Sequence, residues 1–284
     1  MEAGGGPVGD RVGIFDSGVG GLSVWREIVR QHPGVDTLYV ADQAHIPYGA
    51  RSAAEILGFS RGITRYLLAR GCTAVVVACN SASAAALQHL RHEFSPGTFV
   101  GMEPAVKPAA LASKHKVVGV LGTPTTLAGE LFQRTIARHA AELRLLCEPC
   151  PGLVESIEAG TLEGPELERS LRTFLRAPLE AGADVLVLAC THYPLVRSVI
   201  EKVAGPEVQV IDPAPAVARQ LGRWLERREP GTTTAPQHEF RTTGDVDAFA
   251  RVARTILGQV VHVAALRWEQ EALHEVGTPV GRKV

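Results

Sequence analysis

Two cysteines stand in the same local context, each directly after an apolar run. Cys79 follows the run in VVVACNSAS, and Cys190 follows the run in VLVLACTH. A glycine lies eight residues before each thiol, at Gly71 and Gly182. A thiol can donate a proton and, once deprotonated, accept one. Two thiols on opposite sides of one carbon atom would remove a proton from one face and deliver a proton to the other, which inverts that carbon.

Polar residues that could assist these thiols lie close to the same strand ends. A free thiol has a pKa near ~8.5, so a thiol that acts as a base needs a neighbour that takes up its proton. His192 is two residues beyond Cys190, and Asp16 follows an apolar run at residues 12–15. A carboxylate beside a thiolate disfavours the charged thiol. We therefore expect Asp16 to accept a proton from Cys79 or to orient it.

Strand-like and helix-like segments alternate along the chain, which predicts a parallel α/β fold. The strand candidates are nearly unbroken apolar runs, as in central strands that are covered on both faces. Strands are predicted at 12–15, 37–41, 73–79, 117–123, 185–189, 208–212 and 260–265, and helices at 22–31, 52–69, 214–226 and 245–257. Residues 267–284 are expected to form a short polar helix and a tail. Ligands of such sheets bind beyond the carboxyl ends of the strands, where Cys79 and Cys190 are expected.

The pattern restarts after about a third of the chain. The segment VVGVLGT echoes residues 12–17 with a shift of 118 − 12 = 106 residues, and the cysteines are 190 − 79 = 111 residues apart. Two similar shifts in the same order indicate one α/β unit used twice. We predict two pseudo-symmetric, doubly wound parallel-sheet domains with the active site between them. Residues 11–100 and 208–284 are expected to form the first domain, and residues 101–207 the second.

Composition limits the classes of partner. The 284 residues carry 29 Lys and Arg against 30 Asp and Glu, so a net charge of −1 gives no general attraction to nucleic acid or anionic lipid. No apolar run reaches the ~18–20 residues that span a bilayer. Five cysteines, an odd number, are typical of free thiols in a reducing cytoplasm, and MEAGGGPVGD lacks the pattern of a signal peptide. A cytoplasmic protein with a small-molecule substrate is expected.

Eight motifs in one order resemble a known family. They are IFDSGVGGLSV, ADQAHIPYGARS, VVVACNSASA, GMEPAVKPA, VGVLGTPTTL, LVLACTHYPL, VIDPA and RTTGDVDAF. The chain is similar to the glutamate racemases of the cofactor-independent Asp/Glu racemase family. The resemblance implies two α/β domains and a 1,1-proton transfer at glutamate without pyridoxal phosphate or another cofactor. It further implies a homodimer that supplies D-glutamate for peptidoglycan.

The resemblance also assigns roles to individual residues. Cys79 and Cys190 would be the two proton donors and acceptors, assisted by Asp16 and His192 respectively. An acidic residue after a CP segment is matched by Glu158, with Glu155 one turn away as the alternative. The substrate would be held by Asp16, Ser17, Tyr48, Gly49, Asn80, Ser81, Thr191 and His192.

The physical chemistry of the predicted pocket is consistent with an anionic amino acid. Helix N-termini after the strand ends offer backbone N–H groups that suit carboxylates. Thr123 and Thr125 add hydroxyl donors to those of Ser17, Ser81 and Thr191. The glycines of SGVGGLS lack the spacing of a nucleotide loop, and we expect them to let the backbone approach a small anion. No Cys/His spacing matches a zinc site.

Three alternatives remain open from the sequence. The first is a racemase of the same group that acts on aspartate or another small amino acid. The second is a redox enzyme that joins Cys79 and Cys190 in a disulfide, although neither lies in a Cys-x-x-Cys segment. The third is a bilobal binding protein of the periplasmic type, against which the absence of a signal peptide argues.

Overall fold

The computed structural model describes residues 10–227 and 235–276. Its strands are β1 (Arg11–Asp16), β2 (Asp36–Ala41), β3 (Ala74–Val77), β4 (Thr98–Gly101), β5 (Val117–Gly122), β6 (Arg144–Pro149), β7 (Val185–Ala189), β8 (Gln209–Ile211), β9 (His238–Thr242), β10 (Val263–Glu269) and β11 (Ala272–Glu275). Its helices are α1 (Leu22–Gln31), α2 (Ala53–Ala69), α3 (Asn80–Glu93), α4 (Val106–Ala112), α5 (Pro124–Ala128), α6 (Glu130–His139), α7 (Leu153–Glu158), α8 (Pro165–Glu180), α9 (Arg197–Ala204), α10 (Ala214–Leu225) and α11 (Val246–Leu257). Within these ranges no helix is both long and apolar enough to cross a membrane.

Helix boundaries follow the local chemistry of the sequence. Ser52 caps α2 by accepting from the backbone N–H of Glu55, whose carboxylate accepts from the backbone N–H of Ser52 in return. Asp245 caps the start of α11, and Gly258 ends this helix in the left-handed region with φ of 69°. The helices predicted at 22–31, 52–69, 214–226 and 245–257 are all present within a residue of those bounds.

The strands form two sheets. The first has seven strands in the order β11-β10-β9-β2-β1-β3-β4, parallel except for the antiparallel pair β10 and β11. The second has four parallel strands in the order β6-β5-β7-β8. Every residue of β3 and of β7 is buried, as expected of strands that are covered on both faces. The predicted α/β fold class is therefore confirmed.

The two sheets repeat one strand order. The strands β2-β1-β3-β4 of the first sheet correspond to β6-β5-β7-β8 of the second, so β3 and β7, which precede the two cysteines, hold equivalent positions. We call the first sheet with its helices the first unit, and the second sheet with its helices the second unit. The strand order corrects one predicted boundary. Residues 209–211 were placed in the first domain, but β8 pairs with β7 because it is the counterpart of β4.

The C-terminal part of the first unit also differs from the sequence expectation. A short polar helix was expected after residue 267, but residues 263–275 form a β-hairpin. Gln270, with φ of 56°, turns the chain between the two strands. Trp268 and Leu273 face each other across the pair and pack with Leu266 on the core of the first unit. The apolar side chains alternate with polar ones, which is a strand pattern. The rest of the expected tail, residues 277–284, lies outside the described residues.

Candidate active site

One pocket lies between the two units and contains both thiols. Its empty volume is about 280 Å³, with the open mouth included. The first unit contributes Ser17, Pro47, Tyr48, Gly49, Cys79, Asn80 and Ser81, and the second unit contributes Thr123, Val154, Cys190, Thr191 and His192. Cys79 and Cys190 are each 5% exposed, and both are free thiols. The matched cysteines of the sequence thus reach one cavity from different units.

Cys79 occupies the junction between β3 and α3. It is the residue before the first turn of α3, with φ of −126° and ψ of 125°. Burial raises the pKa of this thiol far above its usual range, and the charge of Asp16 raises it further. Backbone N–H groups of Ala82 and Ser17 oppose this effect in part. Cys79 is therefore protonated in this environment, and a protonated thiol is a proton donor.

Asp16 lies at the end of β1 and is fully buried. Its Oδ1 accepts from the backbone N–H of Gly18 at 2.8 Å, and its Oδ2 accepts from the hydroxyl of Thr191 at 2.9 Å. Burial raises the pKa of Asp16, although His192, Gly18 and Thr191 counteract the rise. The side chain does not line the pocket, so the structure places it behind Thr191 rather than against a substrate.

Cys190 stands beside a histidine and a carboxylate. Its Sγ is 3.8 Å from Nδ1 of His192, and Nε2 of His192 is 2.6 Å from Oε1 of Glu158. Burial by itself lowers the pKa of His192, but the contacts with Cys190 and Glu158 outweigh it and raise that pKa well above its usual value. An imidazolium between a carboxylate and a sulfur stabilises negative charge on that sulfur. The two thiols thus have different surroundings, and only Cys190 has a cation at its side.

Glu158 comes from the last residue of α7 in the second unit, but the first unit holds it. Its Oε1 also accepts from the backbone N–H of Val19 at 2.6 Å, and its Oε2 accepts from Nε2 of Gln43 at 2.7 Å. Glu155, the alternative considered in the sequence, is exposed. Gln43 was not predicted as a site residue, because a loop amide carries no pattern that connects it with a residue 115 positions away.

The glycines of SGVGGLS leave space for the side chains of Glu158 and His192. A Cβ at Gly18 would lie 2.0 Å from Oε1 of Glu158, and a Cβ at Gly20 would lie 2.4 Å from Nδ1 of His192. We expected these glycines to let the backbone approach a small anion. The anion that the loop approaches is the carboxylate of Glu158, a group of the protein itself.

The pocket side chains differ in how far their polar atoms are already paired. Both polar side-chain atoms of Asn80 are buried without a hydrogen-bond partner. Buried polar groups are normally paired, so Asn80 has bonding capacity for a ligand. Ser81 and Thr123 face each other across the unit boundary, with their hydroxyl oxygens 2.9 Å apart.

Two predicted substrate contacts are engaged elsewhere. Tyr48 lines the pocket, but its hydroxyl donates to Asp42 at 2.7 Å. Thr125 does not line the pocket, because its hydroxyl donates to the backbone oxygen of Gly49 at 2.9 Å and holds the loop. Pro47 and Val154 line the pocket and were not predicted. Apolar side chains in a loop and a short helix gave no chemical signal.

Comparison with known proteins assigns this α/β fold, with its thiol pocket between two units, to a class of racemases. A family model described as Asp/Glu/Hydantoin racemase matches residues 13–221. The chain belongs to this family, as its motifs predicted. A glutamate racemase of Roseiflexus sp. is 46% identical over 244 residues, which cover 85% of this chain and 90% of the relative. A glutamate racemase of Ectopseudomonas mendocina is 45% identical over 253 residues, which cover 89% and 96%.

Solved structures of glutamate racemases share the fold. The enzyme from Bacillus anthracis has a TM-score of 0.82 at 30% identity, covering 93% of this chain and 98% of its own. The enzyme from Escherichia coli, in complex with L-glutamate and the activator UDP-MurNAc-Ala, has a TM-score of 0.81 at 30% identity, covering 95% and 100%. The enzyme from Francisella tularensis, in complex with D-glutamate, has a TM-score of 0.79 at 27% identity, covering 90% and 97%. The protein is thus an isomerase of the glutamate racemase group.

Proposed function

We propose that this protein interconverts L- and D-glutamate with Cys79 and Cys190 as its two acid/base groups and without a cofactor. The observation that carries the proposal is one pocket with a thiol from each unit and with different partners behind each thiol. Relatives that span nearly the whole chain are glutamate racemases, and two of the similar structures hold glutamate.

The proton transfer follows from the two surroundings. The thiolate of Cys190, beside the imidazolium of His192, takes the α-proton, so a Cα–H bond breaks and an S–H bond forms. The electron pair left on Cα then takes the proton of Cys79 from the other face. The reverse reaction exchanges the two roles, and Asp16, whose charge acts on Cys79, would take up a proton on that side. Each turnover leaves the substrate inverted, the α-proton on Cys190 and Cys79 as the thiolate, so protons and electrons balance.

Substrate binding would use the polar side chains of the pocket. The amide of Asn80, which has no partner in the protein, and the hydroxyl of Ser17 would bond to the carboxylate and amino groups of glutamate. The hydroxyls of Ser81, Thr123 and Thr191 already bond to other side chains, and their oxygens would accept from the amino group. Backbone N–H groups at the start of α3 add donors beside Cys79. Hydroxyl and amide contacts fix the orientation of glutamate without a strong ion pair that would hold it in the ground state.

Substitution of each thiol tests the proposal. We expect Cys79→Ala and Cys190→Ala each to abolish racemisation, measured by circular dichroism of glutamate, because one face of Cα is left without a base. Each single Cys→Ser variant should still eliminate a leaving group from a suitable analogue of one enantiomer, since elimination needs only one base. Cys147→Ala is the matched control, because this exposed cysteine lies outside the pocket. Full racemisation by either alanine variant at the site would refute the two-thiol scheme.

Substrate choice is tested by turnover of L-glutamate against L-aspartate. The enzyme should prefer glutamate, as its relatives are named for it. A clear preference for aspartate would refute glutamate as the substrate but would not contradict the two-thiol mechanism. A redox enzyme would instead show a disulfide between Cys79 and Cys190, which mass mapping under oxidising and reducing conditions detects.

The cellular setting is part of the same proposal. The protein would act in the cytoplasm as a homodimer and supply D-glutamate for peptidoglycan. Complementation of a bacterial strain that requires D-glutamate tests the supply role, and sedimentation of the purified protein tests the dimer. Growth without added D-glutamate is expected for the native chain but not for Cys190→Ala.

A further inference from the structure

The surroundings of Glu158 extend the site beyond the residues discussed so far. The carboxylate comes from the second unit, but its Oε2 accepts from Gln43, in the loop after β2 of the first unit. Gln43 in turn accepts through Oε1 from the hydroxyl of Thr242, at 2.8 Å, and Thr242 Oγ1 accepts from the backbone N–H of Gly244 at 3.0 Å. The chain of hydrogen bonds ends at His192 and Cys190.

Every bond in this chain except the one between His192 and Cys190 has a determined direction. A carboxylate only accepts, so Gln43 must present its amide N–H₂ to Glu158 and its oxygen to Thr242. Thr242 uses its single hydroxyl proton toward Gln43 because it already accepts from Gly244. Both oxygens of Glu158 are engaged as acceptors, so Nε2 of His192 must donate to Glu158. The proton that remains to be shared lies between Nδ1 of His192 and Cys190.

We propose that Gln43 is a positioning residue for catalysis. Thr242 orients Gln43, Gln43 orients Glu158 toward His192, and His192 in turn prepares Cys190 as a base. The inference rests on the proposed two-thiol function and deepens it. It follows that a residue of the first unit helps to position the Glu158–His192–Cys190 group of the second unit. Neither Gln43 nor Thr242 lines the pocket, so both act through Glu158 and not on glutamate.

The charged groups around His192 are consistent with this role. Glu158 from α7, Cys190 after β7 and Asp16 at the end of β1 face or influence the imidazole. Of these, only Glu158 depends on Gln43 for its orientation. Without the amide, one carboxylate oxygen loses its donor, and the carboxylate is free to turn away from His192. The imidazolium is then less stabilised, and a smaller fraction of His192 carries the positive charge beside Cys190.

Substitution of Gln43 separates positioning from binding. We expect Gln43→Leu to lower kcat for glutamate about 10-fold and to leave KM unchanged. Thr242→Val should lower kcat by a smaller factor, and Thr242→Ser, which keeps the hydroxyl, should retain the native kcat. Gln31→Leu is the matched control, because Gln31 also donates its amide to a glutamate, Glu27, but on α1 outside the site. A raised KM with unchanged kcat, or behaviour like that of Gln31→Leu, would overturn the proposal.

Two further measurements depend on Glu158 and His192 directly. In a double-mutant cycle, Gln43→Leu should cost little more once Glu158→Gln is present, whereas additive losses would count against the relay. Nuclear magnetic resonance of ¹⁵N-labelled histidine should show a lower pKa for His192 in Gln43→Leu than in the native chain, and an unchanged titration would refute the role. The titration needs no turnover, so it decides the role of Gln43 even if the native chain fails to racemise glutamate, a failure that would refute the proposed function instead.

Discussion

At the scale of residues, the two thiols differ because different groups were brought to each. Cys79 lies in a buried environment next to Asp16, which raises its pKa and keeps it protonated. Cys190 lies next to His192, whose own pKa is raised by the sulfur and by Glu158 despite burial. A pair of like residues thus has unlike surroundings, and this difference supports the proposed division into an acid and a base.

The raised pKa of His192 makes a prediction about stability. Its pKa in the folded protein lies above the usual value, so its stabilising contribution is fully present below about pH 6.5 and is lost as the pH rises through the raised pKa. We therefore expect the free energy of unfolding lost in His192→Asn to be largest in mildly acidic solution and to shrink in alkaline solution. Urea unfolding of both proteins at several pH values measures this difference. A difference that grows with pH would contradict the ionised His192–Glu158 pair.

At the scale of elements, one buried carboxylate connects the C-terminal hairpin with the pocket loop. Asp42 accepts from the indole of Trp268 in β10 at 2.7 Å, and from the hydroxyl of Thr243 at 2.8 Å. On its other oxygen it contacts His45 at 2.9 Å and accepts from Tyr48 at 2.7 Å. Because Tyr48 lines the pocket, the hairpin fixes the wall of the pocket through Asp42.

Removal of the indole donor tests this connection. Trp268→Phe should lower the free energy of unfolding by about 1–3 kcal/mol, since a buried carboxylate loses a donor, and should raise KM for glutamate because the loop loosens. Trp25→Phe is the control, because Trp25 donates to Thr37 at 2.9 Å and does not line the pocket. The control should lose stability without a change in KM. Equal KM values for the two variants would show that Asp42 does not position the loop.

At the scale of the whole molecule, the two units share a core. One cluster of buried side chains contains Ile14 and Val76 of the first unit together with Leu121, Leu186 and Leu188 of the second. Hydrogen bonds add to this contact, among them the one from Ser23 to the backbone oxygen of Thr191 at 3.0 Å. The units are therefore expected to unfold together.

A substitution in the second unit can test this coupling with probes in the first. All three tryptophans lie in α1, α10 and β10 of the first unit. Leu188→Ala should destabilise the protein by about 2–5 kcal/mol, because it leaves a cavity at a fully buried position. Tryptophan fluorescence and far-ultraviolet circular dichroism should shift to the same lower urea midpoint. If the fluorescence midpoint stayed native while the circular dichroism midpoint shifted, the units would unfold independently. Leu67→Ala, in the first unit, is the control and should lower the fluorescence midpoint in either case.

The sequence by itself determined the elements and the chemical groups. Apolar runs of strand length, capped helices and the repeated cysteine context are local patterns, so they predicted the α/β class, the repeat and the thiols. The same local rules were misleading for residues 267–276, where a polar surface concealed the alternation of Leu266, Trp268 and Leu273. They also placed β8 in the wrong unit, because pairing partners are not encoded in a strand of three residues.

Only the tertiary structure decided which groups share a proton or a hydrogen bond. Glu158 meets His192 across 34 positions of sequence, and it meets Gln43 across 115 positions. The contact with Gln43 depends on how the two units pack, and the contact with His192 depends on how α7 lies beside the end of β7. No periodicity within any of these segments reports that geometry. The sequence thus supplied the thiols, the imidazole and the carboxylates, whereas packing within and between the two units decided which groups Glu158 and Asp16 contact.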